Sequence, residues 1–241
     1  FGKRMARKSF VAGNWKMNTT KASAIELAKG VAAGAPDGVD IGVAAPFVYL
    51  DAVGQALGSS RVLLGAQDCY FEKFGAFTGE SSAPIARDAG ARYALVGHSE
   101  RRHVFGETDE QSALKCAAAA RAGLTPVLCV GELLAEREAG KTLDVVNRQL
   151  TTGLAPLDDS TIAGIAIAYE PVWAIGTGKT ATPDDASEVH AEIRRLLDGR
   201  VAGRGAGVPI LYGGSVNASN AKSLLDAPGV DGLLVGGASL D

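Results

Sequence analysis

Ala163-Gly-Ile-Ala-Ile-Ala-Tyr-Glu170-Pro-Val-Trp-Ala-Ile-Gly-Thr-Gly178-Lys-Thr180 is a short apolar run that ends in a single carboxylate and opens onto a glycine-rich loop. Pro171 has no N–H for a sheet ladder and holds the residue before it in extended backbone, so the strand stops at Glu170 with the carboxylate at its C-terminal end. That end is where parallel sheets, open or closed, carry chemistry. Beyond it, Val172-Trp-Ala-Ile175 is apolar although it lies in a loop, and Gly176 and Gly178 permit backbone conformations that other residues resist. An apolar loop tip between turn residues reads as a lid. The plainer alternative is a strand-end glutamate facing water beside a loop that packs one tryptophan.

The same punctuation recurs outward from this stretch. Short apolar runs, each followed by a polar or glycine-containing junction and a longer segment rich in Ala, Leu, Glu and Arg, occur at Ser9–Ala12, Ile41–Ala45, Val62–Leu64, Tyr93–Val96, Thr125–Val130, Ile165–Tyr169, Ile210–Tyr212 and Gly232–Val235. Runs this short and apolar on both faces are what parallel strands buried on both sides look like. The segments between them carry helical periodicity: Ala186, Val189, Ile193, Leu196 and Leu197 share one face, and Asp184 and Asp185 stand near the helix start, where acids are favoured. Eight such units in 241 residues predict an α/β fold, a closed eight-stranded parallel β/α barrel. A doubly wound open sheet has fewer strands and a glycine-rich turn after the first, whereas here Gly13-Asn-Trp-Lys-Met17 follows. No linker divides residues 5–241, which are read as one domain; Phe1-Gly-Lys-Arg4, ahead of Met5, is read as an N-terminal extension outside the fold.

With 24 basic and 27 acidic residues and no Lys/Arg run able to track a phosphate backbone, nucleic acid is not an expected partner. Cys69, Cys116 and Cys129 are odd in number, lack CxxC spacing and do not combine with His98, His103 or His190 into a zinc pattern. The expectation is a reducing compartment and no metal. No apolar run approaches the roughly 18 residues of a membrane span, and the N-terminus lacks the apolar block of a secretory signal, so a cytoplasmic protein without membrane contact is expected.

In a barrel, each strand's C-terminal junction is a candidate contributor to a site. The first carries Asn14 and Lys16, which taken alone also fit a turn residue and a solvated charge. The third is a long loop, Gln67 to Glu80, holding Tyr70, Phe71, Phe74 and Phe77; four aromatics there predict burial against another subunit, or else a loop folded back over its own barrel. At the fourth, His98 precedes a Ser-x-x helix start whose N–H groups should lower its pKa and favour a neutral imidazole. After the seventh and eighth runs come Tyr212-Gly-Gly-Ser-Val216 and Val235-Gly-Gly-Ala-Ser239. Freed N–H groups at helix starts would make an anion site there, with ordinary tight turns as the alternative. Two motifs mislead. Gly178-Lys179-Thr180 ends like a P-loop but has Trp173 where the first glycine is required, and the relaxed dinucleotide pattern Gly176–Ala181 lies in a loop and not at a strand-to-helix turn.

Ala12-Gly-Asn-Trp-Lys-Met17, Gly97-His-Ser-Glu-Arg-Arg102, Ala168–Lys179, Tyr212-Gly-Gly-Ser215 and Gly232–Ser239, in this order and spacing, resemble the triosephosphate isomerase family from about Lys8 onward. The resemblance implies a TIM barrel that moves a carbonyl between C1 and C2 of a triose phosphate through an enediolate, with no cofactor. It implies Glu170 as base, His98 as electrophile, Lys16 and Asn14 as polar groups of the first junction, and Gly176, Ser215, Gly236 and Gly237 around the substrate phosphate. Glu100 is expected to orient Lys16, and Cys129 to pack beneath Glu170. It implies a homodimer through the 67–80 loop, with Phe77 and Thr78 near the tip beside the partner's Asn14 and the partner's Lys16. The family's final helix after the last Gly-Gly junction is missing before Asp241, with the expected consequence on barrel closure and stability, since the site residues all precede the gap. Two other readings are a related barrel isomerase acting on a larger sugar phosphate, and a barrel kept only for binding, which would normally have lost a catalytic group or the lid.

Overall fold

The computed structural model describes residues 9–175, 181–201 and 203–241. Its strands are β1 Ser9–Asn14, β2 Val39–Ala45, β3 Leu63–Ala66, β4 Tyr93–Val96, β5 Thr125–Val130, β6 Ala166–Tyr169, β7 Ile210–Tyr212 and β8 Gly232–Val235. Each pairs in parallel with the next, and β8 returns to β1 with Phe10 opposite Gly232 and Gly13 opposite Val235. The barrel is therefore closed by its own strands.

Side-chain alternation divides the core into layers. On β4, Tyr93 and Leu95 point into the barrel with Phe10, Ala12, Ala44 and Leu234, while Ala94 and Val96 face the surrounding helices. Four strands differ from their expected bounds: β1 runs on to Asn14, β2 begins earlier at Val39, β6 begins at Ala166, and β3 shifts at both ends. The apolar run Val62–Leu64 stops at a glycine, yet β3 continues through Gly65-Ala66. Gly65 is required there because a Cβ on it would fall 2.1 Å from Cζ of Tyr93, whose ring lies across the barrel.

The helices are α1 Lys21–Gly34, α2 Leu50–Leu57, α3 Ala83–Asp88, α4 Ser99–His103, α5 Asp109–Arg121, α6 Leu134–Glu138, α7 Thr142–Leu154, α8 Asp159–Ile162, α9 Pro183–Arg200 and α10 Ala221–Leu225. In α9, Pro183 sits in the first turn, where its missing N–H costs nothing. Thr182 accepts the Asp185 N–H at 3.1 Å while the Asp185 carboxylate accepts the Thr182 N–H at 2.8 Å. Such a cap is worth about 1 kcal/mol. The helix buries Ala186, Val189, His190, Ile193 and Leu197, with Leu196 half-buried beside them. Among the described residues, no helix is long and apolar enough to cross a membrane.

Candidate active site

Glu170 leaves β6 with its N–H bonded to the Val130 carbonyl at 2.8 Å. The chain passes so close to Gly131 that a Cβ there would lie 1.7 Å from the Glu170 carbonyl oxygen. Only glycine fits this crossing, and Gln149 of α7 clamps it, accepting the Gly131 N–H at 2.7 Å. The Glu170 side chain is buried, 2% exposed. Its Oε2 accepts the Ser99 N–H at the head of α4, at 2.9 Å, and its Oε1 lies 2.8 Å from His98 Nε2. Ser99 could not have been singled out from the sequence, because its partner is 71 residues away and the contact uses backbone.

His98 is the residue that caps α4, and its Nδ1 accepts the Glu100 N–H at 3.2 Å. That donor places the proton of a neutral ring on Nε2, pointing at Glu170. The expected fall in pKa is not found. Burial does pull the imidazole down, but the Glu170 carboxylate, helped by Glu100, outweighs it and holds the His98 pKa above its ordinary value. A carboxylate at contact distance outweighs the partial charge of a helix start.

Lys16 has φ +52, a left-handed conformation that costs a residue with a Cβ on the order of 1 kcal/mol. Three bonds hold it: its N–H to Asn14 Oδ1 at 3.0 Å, its carbonyl to Gln67 Nε2 at 2.8 Å, and its ammonium to Glu100 at 2.6 Å. Gln67 also donates to the Ala44 carbonyl at 3.0 Å, so it ties the first junction to β2. In the sequence Gln67 reads only as the start of a loop, although a polar residue directly after β3 is an available signal.

Asn14, Lys16, His98 and Glu170 converge on one cleft, facing Gly213, Gly214 and Gly236, with Ile175 also in its wall. The helix-start picture of the two Gly-Gly junctions holds only in part. After β7 no helix begins until Ala221, and the Gly213 N–H is already bonded to the Tyr169 carbonyl at 2.7 Å. After β8 a 3-10 turn, Gly237–Leu240, starts at once, and Gly236 lies against Lys16, a Cβ there falling 3.4 Å from Lys16 Cε. Ser215 and Gly237 adjoin the cleft without lining it; Gly176 lies outside the described residues.

The first turn of the lid candidate, Val172–Ala174, is not adrift in water. Ala174 is buried, the Trp173 indole N–H donates to Glu132 at 2.8 Å, and the Arg137 guanidinium stacks 4.5 Å from the indole centroid. Glu132 is fully buried and also accepts the Tyr169 hydroxyl at 3.1 Å. A carboxylate two residues past β5 is a legible candidate that the strand-end residues singled out above do not include. Cys129 is buried, its thiol pushed well up by burial and then by the Glu170 carboxylate. In the 67–80 loop, Tyr70 stacks on Phe71 at 4.3 Å and meets Phe77 at 4.9 Å, whereas Phe74 is 68% and Phe77 39% exposed, and Thr78 is exposed. The loop folds on itself at its base and presents its tip. Among the described residues, no group of three His, Cys, Asp or Glu is placed to hold a metal.

The sequence model of the triosephosphate isomerase family matches residues 9–241. A triosephosphate isomerase of Paracidovorax citrulli is 50% identical over 240 residues, covering 98% of this chain and 95% of its own. One from Chlorobium luteolum is 49% identical over 239 residues (98% and 95%), and one from Porphyromonas gingivalis 48% over 238 (97% and 95%).

Proposed function

The chain belongs to the triosephosphate isomerase family, and from that premise we infer which groups in the cleft do the work. The reaction is the interconversion of dihydroxyacetone phosphate and D-glyceraldehyde 3-phosphate, an aldose–ketose isomerisation of glycolysis and gluconeogenesis. Glu170 is the base. One carboxylate above the plane of an enediolate removes the proton from one carbon and returns it to the next. The observation that carries this assignment is the pairing of Glu170 with His98 Nε2 at 2.8 Å. The N–H that holds the carboxylate aside is the donor a substrate carbonyl oxygen needs, so when Glu170 turns to the carbon, His98 is released to polarise the oxygen. The Asn14 amide and Lys16 ammonium add fixed donors where negative charge develops. Glu100 and Gln67 position Lys16, and Cys129 supports Glu170 without touching substrate.

The phosphate does not react. Its seat is assigned to Gly176, Ser215, Gly236 and Gly237, beside the Lys16 ammonium, and binding there positions the reacting carbons. Glu170→Asp tests the base: withdrawing the carboxylate by one methylene should lower kcat by about a hundredfold or more while the affinity for inorganic phosphate changes little. Near-native turnover would remove Glu170 from the role.

The exposed Phe74 and Phe77 support a homodimer in which the 67–80 loop docks beside the partner's Asn14 and the partner's Lys16. Deleting residues 70–77 should give a monomer of low activity by sedimentation and assay; an active dimer would contradict the docking. A cytoplasmic location belongs to the same proposal, supported by three unpaired thiols, Cys69, Cys116 and Cys129.

A further inference from the structure

The pairing of β4 with β5 ends at Val96 opposite Leu128, and the carbonyls of Gly97 and Cys129 beyond that point are both taken up by one guanidinium. Arg102, on α4, donates from Nε to the Gly97 carbonyl at 2.7 Å and from Nη2 to the Cys129 carbonyl at 3.3 Å. Its Nη1 pairs with Asp109 in the first turn of α5, whose other oxygen accepts Arg148 Nε of α7 at 2.9 Å. The Arg102 side chain is only 6% exposed, and arginine is seldom buried so far unless it is paired. Room is kept for it. Gly97 has φ +66, and a Cβ there would fall 2.7 Å from Arg102 Nη2 and 2.8 Å from Ser112 Oγ, so the turn of the chain and the guanidinium both demand glycine.

Each bonded carbonyl leads to one partner of the Glu170–His98 contact. The Gly97 carbonyl belongs to the peptide that enters His98, and the Arg102 N–H bonds the His98 carbonyl at 3.1 Å, so His98 is held on the peptide before it and the peptide after it. The Cys129 carbonyl stands one residue before Val130, whose own carbonyl accepts the Glu170 N–H at 2.8 Å. Arg102 itself does not line the cleft. A guanidinium is planar and offers its donors in a fixed fork, so it sets the spacing of the groups it bridges; an ammonium is a point charge and cannot span all three acceptors.

We propose that Arg102 is a positioning residue for the isomerisation: it fixes the ends of β4 and β5 at the separation that keeps His98 Nε2 and the Glu170 carboxylate in register, without touching substrate. The inference rests on the roles assigned above to Glu170 and His98. An ion pair serving stability alone is complete with Asp109; the two carbonyl bonds carry the positioning.

The test is Arg102→Lys in the full chain, which keeps a positive charge beside Asp109 and loses the fork. A small misplacement of reacting groups is costly in rate, so kcat should fall about tenfold or more, while KM for glyceraldehyde 3-phosphate changes less than about twofold because the binding groups are untouched. The His98 Nε2 proton, followed by NMR in ligand-free protein labelled with 15N-histidine, should exchange with water about tenfold faster or more as its bond to Glu170 loosens. Leu57→Ala, a buried change outside the cleft, reports what lost stability does by itself: weaker resistance to urea with kcat and the His98 proton unchanged. Asp109→Asn, which releases the fork at its outer end, is the milder variant should Arg102→Lys not be recovered folded; the same two changes of about threefold or more are expected. Native kcat, a slowing that Leu57→Ala shares, or a loss of kcat with unaltered His98 exchange would each overturn the proposal. Native kcat in Arg102→Lys with kcat collapsed in Glu170→Asp strikes Arg102 alone, whereas near-native turnover in Glu170→Asp strikes the base assignment beneath it.

Discussion

His190 makes the stability of this barrel depend on acidity in a calculable way. The ring is fully buried on α9, its Nδ1 lies 3.1 Å from the Gly229 carbonyl, and its edge meets Tyr169 at a centroid distance of 5.9 Å. Burial drives its pKa down from 6.5 to about 4, more than the Gly229 carbonyl restores. The folded chain therefore stays neutral at His190 where the unfolded chain is protonated. Because the folded pKa is the lower one, full stability is present above about pH 6.5 and is lost as pH falls towards 4. Each decade of proton affinity is worth about 1.4 kcal/mol, so the loss from this residue reaches about 2 kcal/mol at pH 5 and about 3 kcal/mol below pH 4. The perturbation is His190→Gln, whose amide can still donate to Gly229 but does not titrate. Urea unfolding of both proteins, at one protein concentration and at several pH values from 7.5 to 4.5, should show the variant less stable at neutral pH for lost packing. The gap should shrink by about 2 kcal/mol on going to pH 5. Parallel pH profiles, or an imidazole that titrates near 6.5 by NMR in the folded protein, would refute the reasoning.

Glu132→Gln removes the carboxylate that receives both the Trp173 indole and the Tyr169 hydroxyl. It should cost about 1–2 kcal/mol and speed hydrogen exchange at Ala174 and Ile175, whose N–H groups close the 3-10 turn; unaltered exchange there would mean the turn stands without Glu132. Lys115→Met strands the Asp68 and Glu107 carboxylates, which Lys115 bonds at 2.8 and 2.6 Å. Arg101, 3.2 Å from each, covers part of the loss. Destabilisation of about 3 kcal/mol is expected by denaturant unfolding, and a change below about 1 kcal/mol would show that Arg101 suffices alone.

Much of the barrel was legible because a strand buried on both faces leaves an apolar run whose ends are marked by glycine and polar residues. β4, β5, β7 and β8 have the bounds expected of them. β3 ran longer than its apolar run because Gly65 is present for the sake of Tyr93, a constraint that lies on another strand. In the site, strand-end position made Glu170, His98, Asn14 and Lys16 candidates before any contact was known. The sequence could not tell that Glu170 rests on Ser99 and His98, since that contact joins two junctions and reverses the sign of the His98 shift. Nor could a Gly-Gly pair reveal whether a helix follows it at once, as the contrast between the β7 and β8 junctions demonstrates.

The position of the Glu170 carboxylate has a consequence for its reactivity towards compounds other than the substrate. Both oxygens face a donor, the Ser99 N–H on one and the His98 Nε2 on the other. Lone pairs engaged in this way are poorer nucleophiles, and the group is almost wholly shielded from solvent. An electrophile that drifts in without a phosphate therefore meets a muted carboxylate, whereas an occupant that draws the side chain off its two donors exposes it at full strength. If Glu170 is the base proposed above, the same two hydrogen bonds that hold its carboxylate also select against chance alkylation.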